Sequence, residues 1–229
     1  MTPLAVHTWP DPAPARADGH DGLLAVLIKT GDASAANAAA MADADVTTSG
    51  KARGGATQPG GASQAAGPQR DAARHLIRAA ARQALAAMLA VAPETISITS
   101  TPGSPPRVLL AGRPQTIGIS ISHEGDYALA AINLHGPVGA DIMHIQDIPD
   151  WQRVARDYLG PAAAAALAAI PAERRASSFT SAWTQREAAL KCHGLELGEW
   201  QTELPGRSIS LALPVAGLLG HIHIGDNTA

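Results

Sequence analysis

The sequence predicts a mixed α/β chain, and three observations carry that prediction. Apolar residues recur at helical spacing between residues 71 and 91, strict alternation runs through residues 117–122, and turn-forming clusters separate three successive strand-like runs between 117 and 143. A chain of 229 residues is long enough for a sizeable core in one large domain or two small ones. Its 46% hydrophobic share is carried largely by alanine, and only four tryptophans, two tyrosines and one phenylalanine are present, so the core must be built from Leu, Ile, Val and Ala.

In chain order, residues 4–9 (LAVHTW) read as a first strand and residues 22–29 (GLLAVLIK) as a second. From 30 to 69 the composition shifts to Ala, Gly, Ser, Thr, Asp and Gln, with GGATQPGGAS inside it. Such a stretch cannot bury enough apolar surface to offset its ordering entropy, and it is expected to be a disordered insertion or linker. A helix follows from Asp71 as N-cap, with Leu76, Ile77, Ala81, Leu85, Met88 and Leu89 on one stripe and Arg70, Arg74, Arg78 and Arg82 on another. That basic stripe admits two readings: a solvated face, or a site for phosphates or an acidic partner.

Pro93 closes the helix, ETISITS reads as a strand, and the turn-rich TPGSPP leads into RVLLAGRPQ. IGISIS places Ile117, Ile119 and Ile121 on one face and its serines on the other, His123 ends the strand, and His123 to Asp126 reads as the turn into YALAAINL. Gly136 and Pro137 turn the chain into VGADIM, where Val138, Ala140 and Ile142 point one way and Asp141 and Met143 the other. A carboxylate in an apolar strand is costly to bury unless a helix end, an Arg or a metal pairs with it. After Asp150 three helices are expected, the last from Pro171 at its first position to a stop near Gly194, with Phe179, Trp183 and Leu190 as its apolar stripe. RSISLAL and HIHI are short strand-like pieces in the tail.

The net charge of −3 gives no support for a nucleic-acid partner. With Cys192 as the only cysteine there is no intrachain disulfide, and a reducing compartment follows. No apolar run approaches the ~18 residues of a membrane span and the N-terminus lacks a signal pattern, so a cytoplasmic protein without membrane contact is expected.

On the last helix Trp183, Glu187 and Lys191 are four apart, with Glu187 about 40° round from Trp183 at the edge of the buried face. By itself a Glu–Lys pair at this spacing is an ordinary surface ion pair. Set beside Asp141, it also suits a Mg²⁺ site in which the lysine meets phosphate oxygens. His221 and His223 share a strand face without an evident third ligand, and Cys192 beside His193 does not face it on a helix.

In order and spacing, ISISHEG around His123, VGADI at 138–142 and WTQREAALK at 183–191 resemble the three motifs of the 4′-phosphopantetheinyl transferases, in the surfactin-type subfamily. Gly112-Arg113-Pro114 resembles that family's element preceding the first motif. The resemblance implies a pseudo-twofold fold of two similar halves, each a small antiparallel sheet packed on a long helix. Residues 1–29 and 70–135 would form the first half and 136–229 the second. It implies transfer of the 4′-phosphopantetheine arm of coenzyme A to a serine of an apo acyl or peptidyl carrier protein, by a monomer, with release of 3′,5′-ADP. Asp141 and Glu187 would hold Mg²⁺, Glu187 would serve as base, and Lys191 would bind the diphosphate. Arg82, Arg113, Ser122 and His123 would contact other parts of coenzyme A. Met143 departs from the family, which often has a second acidic residue there, and Arg186 replaces the usual lysine before Glu187. A degenerate homologue that binds coenzyme A or a carrier without catalysis is the alternative.

Overall fold

The computed structural model describes residues 2–11, 22–30, 66–99 and 104–226. The segment 30–69, read as a linker, lies for the most part outside the described residues.

β1 (Leu4–Thr8) and β2 (Leu23–Lys29) run parallel, and β1 also pairs in parallel with β9 (Arg207–Ala212). β6 (Gly118–Glu124) and β7 (Tyr127–Asn133) form a hairpin, but β8 (Val138–His144), expected as the third strand of the same meander, does not pair with β7. It pairs antiparallel with β10 (Leu218–Ile224), which also pairs antiparallel with β9, because the buried face of β8 packs with that of β9 and β10. The strands join in one seven-stranded sheet of order β6-β7-β2-β1-β9-β10-β8. Where two separate sheets are expected, the parallel pairs of β1 link them. A three-stranded sheet holds β3 (Ile96–Thr99), β4 (Arg107–Leu110) and β5 (Arg113–Pro114).

Period-2 alternation sorts β2 between two cores. Leu24, Val26 and Ile28 pack with helix α1 (Ala66–Leu89), while Leu23, Ala25 and Leu27 turn to the other face to meet Val138, Ala140 and Ile142 of β8 and Ile209 and Ile222. The stripe foreseen on α1 is the one that packs, with Ile77, Ala81 and Leu85 fully buried. The helix starts at Ala66 rather than at Asp71, because Pro68 falls in its first turn, where a missing N–H removes no helical bond. Asp71 lies inside the helix and pairs with Arg74 at 3.2 Å.

β6 runs on through Glu124, so His123 is a strand residue and the turn is the two-residue Gly125-Asp126, with Gly125 at φ 54°. Three helices follow: α2 (Trp151–Val154), which continues as a π turn over Ala155–Leu159, then α3 (Pro161–Ala168) and α4 (Ala172–Cys192). Pro171 is the N-cap of α4 rather than its first residue, so the helix begins one residue later than expected, and Gly194 at φ 65° follows its end. Phe179 and Trp183 stack at 6.0 Å and pack α4 on α2 and α3. Among the described residues, no helix is long and apolar enough to cross a membrane.

Candidate active site

The edges β6 and β8 meet without a backbone ladder, and side chains supply the missing rungs. The amide of Ala140 donates to Ser120 Oγ at 3.0 Å, that of Ile142 to Ser122 Oγ at 3.4 Å, and that of His144 to Glu124 Oε1 at 3.1 Å. Alternate residues of β6 thus satisfy alternate amides of β8, which would otherwise be buried unpaired. This explains the serines of the ISIS run.

The closure brings Ser122 to Asp141. The Ser122 hydroxyl donates to Asp141 Oδ1 at 2.8 Å, and Lys191 Nζ donates to the same oxygen at 2.7 Å while lying 3.4 Å from Ser122 Oγ. Asp141 is only 8% exposed, so these donors are what permits a charge there. Lys191 reaches it because α4 lies directly on β8. Any Cβ at Gly139 would run into the Ala188 carbonyl and the Cys192 amide, which gives the glycine of VGAD its physical reason.

Glu187, one turn before Lys191, is half-buried in the same neighbourhood. Its carboxyl is held above the ordinary range, first by desolvation and further by the Asp141 charge, against the opposing pull of Lys191 and Arg186. His123 is exposed, yet its imidazole is drawn below the ordinary value of 6.5, first by partial desolvation and then by the charges of Arg74, Lys191 and Arg78. Those α1 arginines share the expected basic face with Arg82, which lies one turn beyond Arg78. Helical phase identifies the face but not which of its turns stands near His123. The side chain of Arg70 lies outside the described residues.

His123 is therefore expected to titrate by NMR with a midpoint below 6.5 and to be neutral at pH 7. In Arg74→Ala the midpoint should rise, and a wild-type midpoint above 6.5 would contradict this electrostatic picture.

The other candidates fall differently. Arg113 is exposed on β5 in the small sheet, and among the described residues no hydrogen bond or ion pair joins it to Asp141, Glu187 or Lys191. Met143 lies two residues along β8 from Asp141, opposite Leu219, and is partly buried. His221 is the cross-strand partner of Asp141, with Nδ1 2.8 Å from Thr184 Oγ1 of α4, and burial lowers its pKa against the raising effect of Asp141. It enters the neighbourhood of the site without having been a candidate for it, although the HIHI alternation held the signal. His223 meets Ser208 Oγ at 2.9 Å and the Pro205 carbonyl at 3.0 Å, so the two histidines are accounted for by protein partners. The Cys192 thiol is pushed up by burial, against hydrogen bonds from the Gly225 and Gly139 amides, which keeps it protonated rather than nucleophilic.

Among the described residues no group of three His, Cys, Asp or Glu side chains is placed to hold a metal ion. The site offers two carboxylates, Asp141 and Glu187. This hard oxygen set suits a Mg²⁺ ion that fills its remaining positions with water and ligand phosphates.

Two acids and a lysine thus meet between a sheet edge and a helix with arginines beyond, and cations of this kind are chemically suited to phosphate oxygens. The model of the 4′-phosphopantetheinyl transferase superfamily matches residues 137–211, a stretch that includes Asp141, Glu187 and Lys191. The chain is also similar to the 4′-phosphopantetheinyl transferase HetI of Nostoc sp., with 29% identity over 75 residues. That alignment covers 33% of this chain and 32% of the relative, so the chain spans about a third of the length of the curated relative it matches. Each of these likenesses covers about a third of the chain.

Proposed function

We propose that this chain transfers the 4′-phosphopantetheine arm of coenzyme A to a serine of an apo acyl or peptidyl carrier protein in a Mg²⁺-dependent reaction that releases 3′,5′-ADP. The observation that carries the reading is the Asp141–Lys191–Ser122 cluster with the half-buried Glu187 beside it. In this reading the carrier serine oxygen forms a bond to the β-phosphorus of coenzyme A, and the bond from that phosphorus to the departing 3′,5′-ADP breaks. Glu187 takes the serine proton, directly or through water, and its raised pKa brings it nearer the range useful to a general base. Mg²⁺ held by Asp141 and Glu187 would supply positive charge to the diphosphate. Lys191 neutralises charge on the departing 3′,5′-ADP, and phosphoryl transfer depends on such positioning and neutralisation more than on covalent chemistry.

His123 would meet the 3′-phosphate. Arg74 and Arg78 lie where their charges reach it, and with Arg82 and Arg113 they make up the positive surroundings proposed for coenzyme A. Ser122 spends its hydroxyl on Asp141, which favours a role in orienting the carboxylate beside any contact with coenzyme A. The finer assignment is a surfactin-type enzyme acting as a cytoplasmic monomer in fatty acid, polyketide or nonribosomal peptide synthesis. Its two halves would be the helix-backed ends of the sheet, α1 over β2 and β7 and α4 over β8 and β10.

Met143 favours a second reading, a homologue that binds coenzyme A or a carrier domain without transfer, because a thioether is a poor Mg²⁺ ligand. Calorimetry with coenzyme A beside a carrier-modification assay separates the two: binding with transfer supports the enzyme, and binding without transfer to a panel of carriers supports the degenerate homologue. Met143→Glu is expected to lower the Mg²⁺ concentration needed for half-maximal activity by about tenfold, because it adds one hard oxygen ligand. An unchanged Mg²⁺ titration would mean that position 143 does not face the metal.

A further inference from the structure

We propose that Lys191 is the stand-in cation of the Asp141 carboxylate and yields that oxygen when an anionic ligand offers its ammonium another partner, so that metal and diphosphate binding are coupled through this one side chain. The proposal rests on the reading of the site as a divalent-cation and diphosphate centre.

Three observations carry it. First, Lys191 Nζ is 2.7 Å from Asp141 Oδ1, the atom offered to a metal by the proposed donor set. Two cations on one carboxylate oxygen repel, and strongly so in a partly buried site. Second, the two partners are unequally held: the Asp141 side chain is 11% exposed and that of Lys191 33%. The carboxylate is fixed on β8 and bound by Ser122, whereas the ammonium sits on a flexible four-carbon stem with one side open to solvent. Lys191 is the group free to move. Third, Lys191 is part of the positive field at His123, together with Arg74 and Arg78. A phosphate drawn to that field arrives within the neighbourhood of the ammonium.

A divalent cation arriving alone must therefore displace Lys191 from a buried carboxylate with no new partner for it. With a diphosphate present, the same displacement ends in a charge-assisted hydrogen bond to a phosphate oxygen. By linkage, each ligand then strengthens the other by the same factor.

Calorimetric titration of the full chain with Mg²⁺, in the presence and absence of coenzyme A, tests this on the wild type and on Lys191→Met. Mg²⁺ alone should bind Lys191→Met about tenfold more tightly than wild type. Coenzyme A should tighten Mg²⁺ about tenfold in wild type, within the range usual for coupled sites, and by much less in the variant. Equal Mg²⁺ affinities of the two proteins without coenzyme A would overturn the stand-in role. Absence of coupling in wild type would also overturn the proposal, and that arm remains decisive if the variant fails to fold. Failure of coenzyme A to bind either protein overturns the diphosphate reading instead, and the arms with Mg²⁺ alone still report on Lys191.

Discussion

Glu187→Gln is expected to lower the rate of transfer by about 10²–10⁴-fold, the contribution usual for a positioned general base, while leaving the melting temperature close to that of wild type. The change keeps the shape of the side chain and removes only its capacity to carry charge and accept a proton. Glu187 is half-buried, and its carboxyl is raised chiefly by desolvation, so a neutral amide costs the fold little there. The two readouts are needed together. A parallel fall in stability would turn the result into a statement about packing, whereas wild-type rates in a folded Glu187→Gln protein would refute the role assigned to this residue.

The second large effect is on stability. In Gly139→Ala the added methyl would meet the Ala188 carbonyl and the Cys192 amide, backbone atoms of α4 that no change of rotamer can move aside. The helix must shift away from β8. Overpacking of this kind costs about 3 kcal/mol, which for a chain of this size lowers the melting temperature by on the order of 10 °C. Because Lys191 and Glu187 ride on α4 and Asp141 on β8, activity should fall even below the unfolding range. Gly198→Ala is the control: nothing lies within 4 Å of the position its Cβ would take, and no change is expected. Equal thermal stability of Gly139→Ala and wild type would mean that the close seat of α4 on β8 is not what holds the site together.

Much of this arrangement was legible in the sequence because it is local. The alternation of residues 117–122 and 138–143 gave β6 and β8 with their faces, and the helical stripe from Leu76 to Leu85 is the one that packs on the sheet. Motif order groups Asp141, Glu187 and Lys191, and in the structure the first and last are in direct contact.

What the sequence withheld is non-local. Nothing in LAVHT states that its neighbours are β2 and β9, both parallel, because parallel partners come from distant parts of the chain. The serines of β6 read only as an outward polar face until the sheet brings them to the unpaired amides of β8. Arg113 shows the same limit from the other side. Its motif was recognisable, but strand pairing puts it on the exposed edge of a separate sheet.

The most direct test of the central claim is mass spectrometry of an apo carrier domain after incubation with the wild-type chain, coenzyme A and Mg²⁺. The expected result is a gain of one phosphopantetheine group on the carrier serine, abolished by omitting Mg²⁺ and nearly lost with Glu187→Gln. No mass gain across acyl and peptidyl carriers, with a folded wild-type protein and coenzyme A present, would contradict it.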